Sequence, residues 1–174
     1  MKNILRLLCM TLMIFSIAGC NSDTKNQDTN ENTTNSEKEE SAEIANPFIP
    51  CESIEDAKSH LDFEMIIPED LPDGYELSEI FAIENTLLEL NYEQGTNELT
   101  YRQGKGSDDV SGDYSVYEVE KTVEVNGLDI KLMGNNTKIN TATWTNGDFS
   151  FSISVNLSGD GMDEDVILSI IEKL

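Results

Sequence analysis

The sequence is short of the residues on which most site chemistry depends. Its 174 residues include one histidine, one tryptophan and three cysteines. A lone His60 excludes His-clustered metal sites and leaves Ser–His–acid or Cys–His catalysis with a single possible partner. Basic residues are also scarce: 11 Lys and Arg stand against 34 Asp and Glu, a formal charge of −23. Such a surface repels nucleic acid and anionic lipid headgroups, and it attracts cationic partners or loosely held metal ions. Aromatics make up 7% of the chain and form no cluster, which argues against a carbohydrate cleft. With this many carboxylates, a close pair of the glycosidase kind arises by chance and carries no signal. No apolar run reaches the roughly 20 residues that span a bilayer.

What is present begins at the N-terminus. Lys2 and Arg6 precede an uncharged apolar stretch, Leu7 to Phe15, and small residues then lead into Cys20. That order predicts an export signal over residues 1–19. Its end, Ser16-Ile17-Ala18-Gly19-Cys20, resembles the lipobox of bacterial lipoproteins. The resemblance implies a diacylglyceryl group on the Cys20 thiol, cleavage before Cys20, and a place on the outer face of the cytoplasmic membrane. Residues 1–19 carry two bases and no acid, so their removal takes the charge to −25. Attachment must then come from the lipid, at about 0.8 kcal/mol per buried CH₂, rather than from charge. Cys9 leaves with the signal and Cys20 carries lipid, so Cys51 is expected to be alone, with no intramolecular disulfide.

Residues 20–45 are rich in Asn, Ser, Asp, Thr and Glu, and hardly any are aliphatic. They cannot bury enough apolar surface to offset chain entropy and read as a disordered acidic tether reaching about 25–30 Å. Residues 46–174 read as one α+β domain. Ser53 is placed to cap a short helix to about Leu61, with Ile54, Ala57 and Leu61 on one face. Phe63, Met65 and Ile67 suggest a short strand, and the Pro68–Gly74 stretch suggests turns. Period-2 segments follow at 75–83, 87–93, 98–103, 116–125, 128–133, 138–145 and 149–157. Asn126-Gly127 and Asn146-Gly147 are hairpin signals. In the last strand the Phe149 to Leu157 odd positions are apolar, and Ser150, Ser152 and Ser154 lie opposite. Val166, Ile167, Ile170, Ile171 and Leu174 make an amphipathic C-terminal helix behind the acids Asp163, Glu164 and Asp165. The expected architecture is an antiparallel meander of about six to seven strands, one face covered by two helices.

Three places can carry chemistry. Cys51 precedes a helix N-terminus, which can activate a thiol, although Glu52, Glu55 and Asp56 oppose a thiolate and a buried apolar role competes. His60 falls on the polar side of its helix. The loop from Gly104 to Tyr114 concentrates turn formers and oxygens, and Asp108, Asp109, Ser111, Asp113 and Tyr114 are its candidate binding residues. Its carboxylates suit a hard cation such as Ca²⁺, but its spacing is not that of an EF-hand, so no metal site is assigned. The alternative use of Ser111 and Asp113 is to cap the loop's own backbone.

Asn46-Pro47-Phe48, Cys51, Pro68, the Asp108–Tyr114 loop, and Ala142-Thr143-Trp144-Thr145 before Phe149–Ile153 together resemble a group of uncharacterised lipoproteins of Gram-positive, clostridium-like bacteria. The domain is similar to one of unknown function at the extracytoplasmic end of anti-sigma-factor-like and lipoprotein-sorting-like proteins. The resemblance covers nearly all of residues 46–174, brings no catalytic residue with it, and implies an envelope role. The reading is therefore a lipid-anchored, monomeric binding or sensing module with no cofactor and no catalytic activity. It would offer a sheet face or edge to a peptide or protein. An envelope enzyme using Cys51 or a carboxylate pair is the alternative.

Overall fold

The computed structural model describes residues 45–174 except Ser107, Leu157 and Ser158. The expected signal, Cys20 and all but the last residue of the tether lie outside the described residues. Strands β1 (Ile49–Cys51), β2 (Glu76–Ile83), β3 (Leu87–Gln94) and β4 (Asn97–Lys105) are followed by β5 (Val119–Val125), β6 (Leu128–Asn135), β7 (Lys138–Asn146) and β8 (Phe149–Val155). A two-residue β9 (Met162–Asp163) comes last, and the helices are α1 (Ile54–Ser59) and α2 (Glu164–Ile171). All strands join one antiparallel sheet in the order β1-β2-β3-β4-β8-β7-β6-β5, with β9 on β7.

The α+β class stands, and the finer expectation is corrected in three ways. The described residues form nine strands rather than six to seven, because β1 and β9 are too short to show a period. The sheet is not one meander. β1–β4 is a run of neighbours, the chain then crosses to the far edge, and β5–β8 returns so that β8 pairs with β4. Residues 63–67 form no strand. Side chains replace the missing ladder. Gln103 accepts from Ile66 N at 2.7 Å and donates to Glu64 O at 3.0 Å, while Tyr101 Oη donates to Ile66 O at 2.7 Å. This pairing is what allows Gln103, 1% exposed, inside the apolar layer.

The two helices also do less covering than expected. Ser53 caps α1 as the sequence indicates, its Oγ accepting from Asp56 N at 3.1 Å. But six residues span only about 9 Å, against roughly 34 Å across eight strands. So α1 packs at the β1–β2 edge, and α2 lies on β7 and β9. Leu61, Ile66, Ile67, Leu71 and Tyr75 of the connecting segment fill in beside them. Beneath lies the core of Leu88, Leu90, Leu99, Tyr101, Ile130, Leu132 and Ile153, with Ile167, Ile170 and Ile171 from α2. Trp144 belongs to this face and stacks on Phe151 at 5.3 Å.

Candidate functional site

The opposite face is polar and in register. Glu79 pairs with Asn91, Asn91 with Thr100, Thr100 with Ser154, and Ser154 with Thr141. The next row runs Phe81, Glu89, Arg102, Ser152, Thr143. An antiparallel sheet can leave such a face in water. Here it is largely covered, and Ser150, Ser152 and Ser154 are all buried. The cover is the crossover from β4 to β5. These two strands run in the same direction, so a hairpin cannot join them. The connection must pass over β8, β7 and β6 to reach the far edge.

Arg102 holds this crossover down. Its Nε donates to Glu89 Oε2 at 2.6 Å, and Nη1 donates to Val110 O at 3.1 Å and to Ser111 O. Its guanidinium also lies 5.9 Å from the centre of the Phe48 ring, which meets Phe81 edge-on. Glu89, only 7% exposed, is tolerable because Arg102 and Asn91 Nδ2 both donate to it. Gly112 has φ +65°, and a Cβ there would come within 2.6 Å of Arg102 Nη1, so the crossover needs glycine at this point.

The predicted loop residues sit on this crossover. Asp109 Oδ1 accepts from Ser111 N at 2.8 Å, and Ser111 Oγ accepts from Asp113 N at 3.2 Å. Asp113 Oδ1 accepts from Ser115 N at 2.9 Å, while Oδ2 takes the hydroxyls of Tyr117 at 2.6 Å and Thr141 at 2.5 Å. Burial raises the Asp113 pKa, but these hydrogen bonds outweigh it and hold the carboxyl below its ordinary value. The carboxylate of Asp113 thus ties the crossover to β7. Asp108 is exposed, and Tyr114 is 96% exposed.

Beyond the crossover the polar face is open. A cleft of about 610 Å³ is bordered by Asn97, Glu98, Thr100, Ser154, Asn156 and Asp160. A second hollow of about 280 Å³ shares Glu98 and Thr100 and adds Glu79, Glu89, Asn91 and Glu93. Asn156, at φ +43°, donates to Asp160 O and accepts from Glu98 N at 2.7 Å, which fixes the cleft's end. The Ser154 hydroxyl on its wall is buried and has no partner among the described residues. Carboxylates, amides and hydroxyls dominate the trough. Six of the seven basic side chains of residues 45–174 are already in ion pairs.

Sequence reasoning did not reach Glu89–Arg102 or the cleft. Charged residues on a period-2 strand read as solvated, and only the strand order shows that they are roofed. It also separated two residues that the fold brings together. Cys51 Sγ, an Asp56 oxygen and a His60 nitrogen lie within 4.8 Å of one another, all half-buried. Burial pushes the Cys51 thiol up, the Asp56 charge adds to this, and a backbone hydrogen bond from Ala82 opposes it. An activated nucleophile needs the reverse.

The antiparallel sheet thus has an apolar core on one face and, on the other, an acidic trough that is open beyond the crossover. The chain belongs to the family described as Domain of unknown function (DUF4367), which matches residues 65–174. No curated protein and no solved structure matches it.

Proposed function

We propose that this protein is a lipid-anchored binding or sensing module on the outer face of the cytoplasmic membrane. In this reading it has no catalytic activity and takes a basic segment of a peptide or protein partner in the trough of its polar sheet face. The supporting observation is the open cleft itself, with Glu98 and Asp160 on its border and the unpartnered Ser154 hydroxyl in its wall. A Lys or Arg side chain would supply the donors that this acceptor-rich surface lacks. Attachment through Cys20 rests on the lipobox-like ending of the N-terminal segment.

The test uses the full chain in detergent against matched lysine-rich and glutamate-rich peptides. Expected is binding of the basic set alone, weakened by salt and by Glu98→Gln with Asp160→Asn. Equal binding of both sets, or indifference to the double substitution, would refute the cleft as the site. Cys20→Ala should move the protein out of the membrane fraction, and its retention there would refute the anchor.

A further inference from the structure

The side chains of Cys51, Asp56 and His60 converge from β1, the first turn of α1 and the residue that ends it, within 4.8 Å of one another. We propose that these three residues form a binding site for one Zn²⁺-like divalent ion, with Glu84 orienting the histidine.

A thiol, a carboxylate and an imidazole are the donor set that borderline-soft late first-row ions prefer. Neither the acidic trough nor the crossover loop offers sulfur or imidazole. Around a tetrahedral ion the donor atoms stand roughly 3.3–3.7 Å apart, as follows from metal–ligand distances of about 2.0–2.3 Å. The present separations, 4.0 Å from His60 Nε2 to Asp56 Oδ1 and all within 4.8 Å, are wider, so the three side chains must turn inward to close on an ion. Three protein ligands leave a fourth position for water or a partner's group.

The surroundings hold the histidine and the carboxylate in place. His60 Nδ1 lies 3.3 Å from Glu84 Oε2, just after β2, which turns Nε2 towards Asp56. A carboxylate on the far nitrogen is the usual way a ligand histidine is oriented. The backbone keeps His60 beside Glu84 independently, since His60 O accepts from Asn85 N at 2.8 Å. Asp56 divides its oxygens. Oδ2 accepts from Glu52 N at 3.0 Å and closes the helix cap, while Oδ1 faces His60. Binding is a proton exchange with no redox step: the Cys51 S–H bond breaks, the proton goes to solvent, and a sulfur–metal bond forms. All three ligands precede residues 65–174, the part that the family model matches, and Glu84 lies within it.

The experiment titrates the full chain, in detergent with a non-chelating reductant, with Co²⁺ and then Zn²⁺. Expected is a thiolate-to-cobalt charge-transfer band that saturates at one equivalent and is erased by Zn²⁺. Cys51→Ser should abolish the band. His60→Gln and Asp56→Asn should weaken binding at least tenfold, and Asn keeps an oxygen for the Glu52 cap. Glu84→Gln should keep the band and weaken binding about 10–100-fold. Melts of the metal-free variants close to wild type show that losses are not unfolding. A missing band in the wild type, a band that survives Cys51→Ser, or unchanged affinity in His60→Gln would each overturn the site.

Discussion

The two faces of this sheet are built from the same strands, residue by residue, and are stabilised differently. On one, Ile153, Tyr101 and Leu132 are buried by apolar contact. On the other, Ser152, Arg102 and Thr141 are covered by a polar crossover that hydrogen bonds hold. The first face draws on non-directional burial, at about 25 cal/mol per Å². The second depends on buried charged groups such as Glu89 finding partners, and leaving a buried polar group without one costs about 1–3 kcal/mol. The polar face is thus more easily upset by a single change of chemistry, and it is also the face that remains open at one end.

Substitutions can break this contrast, the most damaging first. Ile153→Ala, at a fully buried position of a central strand, should lose about 4 kcal/mol in denaturant unfolding. A loss under about 1 kcal/mol would mean that the apolar layer is not the main support. Arg102→Ala should cost about 3 kcal/mol by stranding Glu89 and releasing the crossover, and Glu89→Gln with Arg102→Met should recover part of it. If the double variant were no better than the single one, the buried charge would not be the cause.

Asp113→Asn should cost about 1–2 kcal/mol at neutral pH, because charge-assisted hydrogen bonds from Tyr117 and Thr141 become ordinary or are lost. The folded pKa of Asp113 is lowered, so its contribution is full above the unfolded value of about 3.9 and fades as pH falls through the folded value. Melts of wild type and variant should therefore converge only in acid, and a gap that widens on acidification would contradict the geometry. Ser152→Ala sits one residue from Ile153 and should cost nothing or gain up to about 1 kcal/mol, since its buried hydroxyl has no partner among the described residues. A clear loss would reveal a bound water there. Asp108→Ala, on the exposed part of the crossover, should stay within about 0.5 kcal/mol.

Much of this was legible locally. The strand periods from β2 to β8, the Ser53 cap, and the turn at Asn126-Gly127 with φ of +52° and +77° follow from neighbouring residues alone. What stayed hidden is non-local. Periodicity says that Arg102 and Ser152 share a face with their neighbours, but not that β8 lies beside β4. Without that pairing, a run of Gly, Ser and Asp reads as a free loop rather than a roof. His60 looked like solvent-facing filler because no spacing rule links it to a cysteine in a different element. The donor sets of the acidic loop were visible as residue types, but only the structure shows Asp113 committed to three hydrogen bonds.

The pairing of β4 with β8 also sets an order of events in folding. β1–β4 and β5–β8 are each a stack of sequence neighbours, which can zip early and locally. The seam between them joins Leu99 to Val155 and Lys105 to Phe149, so it must wait until both stacks exist. During synthesis β4 is the leading edge of a half-sheet whose neighbour has not yet been made. An unpaired edge of that kind invites pairing with another chain. Arg102 and Lys105 place positive charge on that temporary edge. The slow step, and the window for misassembly, should therefore lie at the middle of the finished sheet rather than at its margins.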